Sequence, residues 1–411
     1  MKYFICYIFF FCLYFCLHYA EGLPPIGSFS VAQLWKMPLL FVLLVYAISS
    51  SVRAKRFEKS CYLLTAETFF SPETIITPLP TFIQASKLLP VVLFFRFWIS
   101  KFKSKKATLE TIMYALAQFI CLSSLLTLTG LVHPLYTETE STRYGIEGLT
   151  YYRGVFGSFH AASSYFCIAI LVLIHGFMTK RFRTPLSKLF NLTMLAIAFV
   201  SIFKAYVRTG WLMLLVGLFF LLGISRASAK KIATQIIPIF ILSAVALVFF
   251  YNTNEAFQAR VTNRNVYTET GGEAIDTGGS GRTEFWKNGI TLWANGSTYE
   301  ILFGNGFTKV TQNNLKHTGL AVFSHNQFVD MLSQNGLLGL LLLIAFNIYI
   351  FRFLKQTNEK SSYRSLGMAV FWSNLIFSFF QNEMFFDFAV IFSLILAINY
   401  IEQKEISTHN I

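Results

Sequence analysis

The chain has 411 residues, of which 55% are hydrophobic and only 13% charged, and its mean hydropathy is +0.54. Soluble domains carry about 25% charged residues, so this composition argues against a soluble protein. Apolar runs of about 20 residues indicate a polytopic α-helical membrane protein, whereas a closed β-barrel would show short alternating segments. The net charge of +14 resides mainly in short loops, so no nucleic-acid partner is expected.

Apolar spans are predicted in chain order near residues 3–19, 32–50, 81–99, 109–132, 161–178, 188–206, 209–225, 232–251, 328–352, 365–381 and 384–401. Lys and Arg cluster in the loops at 51–60, 100–107, 179–187, 226–231 and 353–364. Positive residues in short loops are typical of the cytoplasmic side. The same rule places the loop 133–160, the turn 206–209 and the polar segment 252–327 outside.

One further crossing is required by this topology. The loops 51–60 and 100–107 are both basic, yet only one clear span separates them, so a short, broken or re-entrant helix is expected in 61–80. Residues 1–20 are interpreted as a retained first helix rather than a signal peptide, because no small residue lies three positions before a cleavage site after Ala20.

The sequence therefore predicts 12 crossings with both termini cytoplasmic. Residues 1–251 would form an N-terminal bundle of about eight crossings. Residues 252–327 would form one large extracytoplasmic loop with short helices. Residues 328–411 would supply the last transmembrane helices and a short cytoplasmic tail.

A glycine-rich stretch in the polar segment ends at Arg282. Beyond it, Phe285 and Trp286 begin a helical spacing of apolar residues, so Ser280 is expected to cap a helix whose first turn holds Arg282. A helix N-terminus and a guanidinium both suit phosphate oxygens. The alternative is a solvated Arg on an amphipathic helix.

Three more polar residues lie at the predicted outer ends of spans. Arg208 occupies a very short turn, where a charge is costly unless paired or hydrated. We interpret it as an anion ligand, with a snorkelling side chain as the alternative. His325, next to Asn326 at a re-entry point, could take a proton from a hydroxyl or could simply cap a helix. Arg153, in a glycine-containing stretch that ends at His160, is expected to line the same mouth.

Short motifs follow one another in a fixed order: Arg153-Gly154 with Phe156-Gly157, Arg208, Ser280-Gly281-Arg282 with Trp286, Gly304-Asn305-Gly306, Ser324-His325-Asn326 and Gln334-Asn335-Gly336. Together they resemble the motifs of the O-antigen ligase and O-antigen polymerase superfamily. One departure is Val207, since members often have Ser before the membrane-embedded Arg.

The resemblance implies a metal-independent, inverting glycosyltransferase of the bacterial inner membrane that uses undecaprenyl-diphosphate-linked oligosaccharide. Arg208 and Arg282 would hold the diphosphate, and His325 would act as, or orient, the base for the acceptor hydroxyl. The residues implied as substrate contacts are Arg153, Asn326, Ser280 and Trp286. No cofactor and no metal are expected, and the polar segment lacks a tight Asp-x-Asp pair.

The sequence does not identify the acceptor of the glycan. A polymerase, favoured here, would extend a lipid-linked repeat unit and could work with a chain-length regulator, whereas a ligase would use a lipid A core in lipopolysaccharide. A function of another class is a flippase for the same lipid-linked glycans. The sequence shows no internal repeat and few charges in mid-membrane spans, which disfavours that alternative.

Overall fold

Fourteen helices and one short strand pair form the secondary structure of the residues that the computed structural model describes. Those residues are 2–26, 30–50, 54–72, 87–103, 105–135, 152–223, 282–359, 361–381 and 384–409, with a few isolated positions between them. The helices are α1 Lys2–Ala20, α2 Val31–Ser49, α3 Arg56–Thr68, α4 Leu89–Lys101, α5 Lys106–Leu128, α6 Phe159–Met178, α7 Pro185–Lys204, α8 Arg208–Gly223, α9 Arg282–Ala294, α10 Thr298–Phe303, α11 Phe307–Thr318, α12 Gln327–Lys355, α13 Ser362–Ser378 and α14 Phe386–His409. Strand β1 (Asn265–Val266) pairs antiparallel with β2 (Ile275–Asp276).

Six of the described helices are long and apolar enough to cross a membrane, namely α2, α5, α6, α7, α12 and α14. Helices α1 and α8 are apolar but shorter. This helical architecture agrees with the predicted class of polytopic membrane protein. The count of 12 crossings stays a prediction, and almost all of the predicted span 232–251 lies outside the described residues.

Successive helices alternate in direction, so their connections collect at two ends of the bundle. We call one of them the basic end, because it holds the Lys- and Arg-rich connections, including 54–55, 102–105 and 179–184. We call the other the site end; it holds α9, α10 and α11 together with the connection 152–158. Tyr152 N donates to Lys204 O at 3.1 Å there and ties that connection to the end of α7.

Helix α6 lies at the centre of the bundle, and most of its side chains are buried. A helix that is apolar all round is stable only when surrounded, and α5, α7, α8 and α13 pack against it. Small residues bring the neighbouring helices close. A Cβ at Gly217 of α8 would overlap Ser373 Oγ of α13, and a Cβ at Gly210 would overlap Ser163 Oγ of α6.

Helix α3 lies where the topology required a further crossing, although it begins at Arg56, before the expected segment 61–80. It starts at the basic end, where Lys55 Nζ lies 4.6 Å from the centre of the Tyr400 ring. Its 13 residues span only about 20 Å, less than the roughly 30 Å of a bilayer core. Residues 73–86 lie outside the described part, so whether this region crosses the membrane stays a prediction.

A buried ion pair joins α3 to α4. Arg96 Nε lies 2.9 Å from Glu58 Oε2, and their side chains are 5% and 0% exposed. Arg96 also donates to Val52 O, and Glu58 Oε1 accepts from Lys55 N at 2.6 Å. Because a buried charge is costly without its counterion, this pair fixes the register of α3 against α4.

We expect Glu58→Gln to lower the free energy of unfolding by about 3–5 kcal/mol, because it leaves the Arg96 charge buried without a carboxylate. Glu359→Gln is the matched control, since Glu359 pairs with Arg364 but is 74% exposed; it should change stability by less than about 1 kcal/mol. Denaturation of the detergent-solubilised protein measures both. Equal effects of the two substitutions would contradict a structural role for the buried pair.

Candidate functional site at the loop end of the bundle

Helices α9, α10 and α11 form a small layer that packs on the start of α12. Trp293 Nε1 of α9 donates to Ile301 O of α10 at 2.9 Å, and Asn313 Nδ2 of α11 donates to Asn288 O of α9 at 3.3 Å. Gly289 lets α9 approach α12 closely, since a Cβ there would lie 2.9 Å from Val329 Cγ1. The layer is therefore held as one unit against α12.

Helix α12 is broken at Gly336, whose backbone is non-helical with φ 67° and ψ −166°. The segment Gly304-Asn305-Gly306 docks onto this break through its backbone. Asn305 N donates to Ser333 O at 2.9 Å, and Gly306 N donates to Gln334 O at 3.0 Å. A Cβ at Gly304 would overlap the Gln334 carbonyl, and a Cβ at Gly336 would overlap the Leu302 carbonyl. Both glycines are thus required by close backbone contact.

Asn335 beside the break is held from the opposite side by α3. Its Nδ2 donates to Glu67 Oε2 at 3.1 Å and to Thr68 Oγ1 at 3.0 Å, and all three residues are buried. The sequence placed Glu67 in a possible broken crossing without assigning it a partner. The structure shows that it anchors the broken turn of α12.

His325 lies in the turn that precedes α12 and has a positive φ of 52°, a conformation that is uncommon for residues other than glycine. The turn is held on both sides. Asn326 Oδ1 caps α12 by accepting from Phe328 N at 3.0 Å and Val329 N at 3.2 Å. Asp330 Oδ1 accepts from Ser324 N at 2.9 Å. The backbone of the turn at His325 is therefore held in place. The side-chain oxygen of Asn326 has a structural function as a helix cap.

Helix α9, which begins at Arg282, packs on the turn that holds His325. The Phe285 ring of α9 lies 6.2 Å from the His325 ring, centre to centre. One turn earlier, the Arg282 guanidinium lies 5.7 Å from the centre of the Phe380 ring at the end of α13. Arg282 begins α9, as expected, whereas its predicted cap Ser280 lies outside the described residues.

Gln381 connects this region to α6. Its side-chain Nε2 lies 2.9 Å from His160 Nδ1, and its carbonyl accepts from Gln327 N at 3.1 Å. The start of α6, the end of α13 and the start of α12 thus meet at one residue. No sequence pattern points to Gln381, because its partner His160 is 221 residues away along the chain.

The other two predicted cations, Arg208 and Arg153, lie at the same end of the bundle. Arg208 begins α8 with an exposed side chain. Arg153 is only 7% exposed, and its Nη1 donates to Gly157 O at 3.3 Å. It therefore stabilises its own connection while lining a cavity with Glu21 and Tyr19.

Polar atoms of the layer that are buried without a hydrogen-bond partner among the described residues include Trp286 Nε1 and both side-chain polar atoms of Asn305. Buried polar groups in folded proteins are normally satisfied by protein or water. Trp286 was a predicted substrate contact, and Asn305 belongs to the docked segment.

Sequence reasoning missed an ionic network at the site end. His18 Nε2 lies 2.9 Å from Asp387 Oδ2, and His18 Nδ1 lies 3.3 Å from Glu21 Oε1. Lys36 Nζ lies 2.7 Å from the same Glu21 oxygen, and Tyr14 donates to Asp387 at 2.8 Å. Burial alone would raise the pKa of Glu21, but the hydrogen bond from His18 and the charge of Lys36 hold that pKa below its usual value.

A cavity of about 290 Å³ opens beside this network. Two lysines and one carboxylate are among the residues that line it, which include Glu21, Lys36, Lys87, Ser158, Tyr165 and Phe385. Lys87 Nζ also lies 5.3 Å from the centre of the Phe323 ring, two residues before His325. The cavity therefore lies near the His325 turn. Two charged residues could have pointed to this cavity in the sequence: Glu21, just after the first apolar run, and Lys36, within the second.

The fold and this site together define a helical membrane protein with a polar, cation-bearing layer at one end. Residues 192–344 match the family model described as O-antigen ligase. The matched region runs from α7 to α12 and includes Arg208, Arg282 and His325, and comparison with curated proteins finds no match. The match covers 153 of the 411 residues and supports the resemblance to the O-antigen ligase and polymerase superfamily seen in the sequence.

We expect Gly336→Ala to release the docked segment, because Gly336 has a positive φ and a Cβ would overlap the Leu302 carbonyl. A strained conformation of this kind costs about 1–3 kcal/mol before any displacement. Gly223→Ala is the matched control, since a Cβ there meets nothing within 4 Å. Limited proteolysis should cut residues 295–306 faster in Gly336→Ala only; unchanged cleavage would contradict the docking role.

Proposed function

We propose that the protein transfers a glycan from undecaprenyl diphosphate to a hydroxyl of an acceptor sugar at the site end, which faces outward from the bacterial inner membrane. The observation that carries the proposal is the contact of α9 with the turn before α12. The Phe285 ring lies 6.2 Å from the His325 ring, on the helix that begins at Arg282, which supports a shared site for the two motifs. The family match supports a membrane enzyme of the ligase and polymerase type.

In the proposed reaction, His325 accepts the proton of the acceptor hydroxyl as its oxygen attacks the anomeric carbon. The bond between that carbon and the diphosphate oxygen breaks, and undecaprenyl diphosphate leaves with the electron pair. Attack opposite the leaving group inverts the configuration of the carbon. A positioned base contributes about 10² to 10⁴ to such a rate.

Arg282 and Arg208 would stabilise the negative charge that develops on the diphosphate. Preorganised cations in a partly dry site act most strongly on charge that appears in the transition state. Trp286, whose buried Nε1 has no partner among the described residues, would contact the sugar. Arg153, Asn326 and Ser280 are the further proposed contacts, with Arg153 and Asn326 acting partly through the structure they stabilise.

We propose a lipid-linked repeat unit as the acceptor, which makes the protein a polymerase; a lipid A core would make it a ligase. The purified protein in proteoliposomes, with undecaprenyl-diphosphate oligosaccharide and either acceptor, tests this. Lengthening of lipid-linked glycan is expected. Transfer to lipid A core alone would identify a ligase, and movement of the substrate across the vesicle without a new glycosidic bond would identify a flippase.

In that assay, Arg282→Ala should lower kcat/KM by about 10²–10³, as for loss of one preorganised donor. His325→Ala should lower it by about 10²–10⁴. The matched controls are Lys287→Ala on α9 and His317→Ala on α11, both of which have exposed side chains and should keep wild-type activity. Full activity in Arg282→Ala or His325→Ala would remove that residue from the proposed site.

Metal removal should leave the rate unchanged, because in this proposal the cations that act on the diphosphate are guanidinium groups. No group of three or more His, Cys, Asp or Glu side chains suited to a metal occurs in the described part of the chain. Turnover should be equal in a chelator such as EDTA and in excess Mg²⁺. A loss of activity in chelator that Mg²⁺ restores would show a metal-dependent mechanism instead.

A further inference from the structure

A basic cavity of about 330 Å³ lies at the basic end, between the start of α3 and the end of α12. It lies at the opposite end of the bundle from the proposed site, and the inference drawn from it is independent of the proposed function. Among the described residues, three cations and one Tyr line it, and no carboxylate does; these lining residues are Lys55, Arg56, Phe57, Tyr349, Arg352, Phe353 and Gln356. Such a lining suits a phosphate group.

Two of the three cations are not neutralised by a described partner. Arg56 and Arg352 have exposed side chains, and neither guanidinium has an ion pair or hydrogen bond with another described residue. Two other cations at this end are compensated, since Arg96 pairs with Glu58 and Lys106 pairs with Glu402 at 2.6 Å. The cavity therefore concentrates positive charge that the protein neutralises elsewhere.

An apolar stripe leads from the cavity along α12. Leu341, Ile344 and Ile348 are 54%, 38% and 44% exposed, and they share one helical face with Arg352. From Leu341 to Arg352 the helix rises about 16 Å, close to half of a bilayer core of about 30 Å. Leu63 of α3 is 58% exposed and lies seven residues, or about two helical turns, after Arg56, so the two residues share one face of α3.

We propose that this cavity binds the headgroup phosphate of an anionic phospholipid, in the leaflet at the basic end. Arg56 and Arg352 hold the phosphate oxygens with their planar donors. An acyl chain lies along Leu341, Ile344 and Ile348, and the stripe is about as long as one leaflet is thick. Basic pockets between transmembrane helices bind lipid headgroups through this combination of charge and apolar depth.

The test uses the full-length protein in detergent and native mass spectrometry with added phosphatidylglycerol. The double substitution Arg56→Gln with Arg352→Gln should weaken retention of one lipid at least tenfold. The control is Lys103→Gln with Lys188→Gln, which removes two exposed charges at the same end outside the cavity and should leave retention unchanged. Equal loss in both double variants would show diffuse charge rather than a site, and no loss in either would overturn the proposal.

Two further measurements separate a lipid from free phosphate and guard against misfolding. Phosphatidylglycerol should raise the melting temperature of the wild type, whereas phosphatidylcholine and inorganic phosphate should not. Ile348→Gln keeps all three cations but weakens the apolar stripe, so it should lower lipid retention while the melting temperature without lipid stays near wild type. Equal stabilisation by inorganic phosphate, or full retention in Ile348→Gln, would rule out a lipid site.

Discussion

The structure depends on the break in α12 at Gly336. In a continuous helix, Ser333 O and Gln334 O would accept from amides four residues later. The break removes those partners, and at membrane depth an unsatisfied carbonyl is costly. The amides of Asn305 and Gly306 take their place, at 2.9 and 3.0 Å. The docked segment and the break therefore require each other, since each supplies the groups that the other lacks.

This docking determines where the proposed catalytic residues lie. Helix α10 ends at the docked segment and α11 begins from it, so the whole layer is fixed to α12 at that point. Helix α9 is tied to the layer through Trp293 and then contacts the His325 turn through Phe285. The position of Arg282 relative to His325 thus follows from a backbone contact that involves neither residue.

The sequence predicted the elements of this arrangement but not their connections. Apolar length located most of the helices, and helical spacing after Arg282 predicted α9, because both signals are local. The glycines at 304 and 336 were visible as motif residues, yet their contact depends on how the layer folds over α12. Glu67 and Asn335 are 268 residues apart, and His160 and Gln381 are 221 apart. No local pattern identifies such pairs without an alignment of related sequences.

The ionic network at the site end went unnoticed for a related reason. His18 and Asp387 lie in different apolar helices, and each alone is typical of an isolated polar residue near a helix end. Only packing makes them a pair at 2.9 Å. The side chains of Arg153 and Asn326, which are predicted substrate contacts, also support their own turns.

In the proposed site, the Arg282 guanidinium lies 5.7 Å from the centre of the Phe380 ring. An aromatic face attracts the guanidinium from one side and replaces part of its hydration. The donors of a guanidinium lie in its plane and point outward from its edges, so stacking on a ring orients them without using them. A carboxylate partner would instead occupy two of those donors and cancel the charge. Arg96, a buried cation that joins α4 to α3, is paired with the carboxylate of Glu58. A ring can therefore hold a guanidinium in place without neutralising its charge, whereas the carboxylate that holds Arg96 does neutralise it.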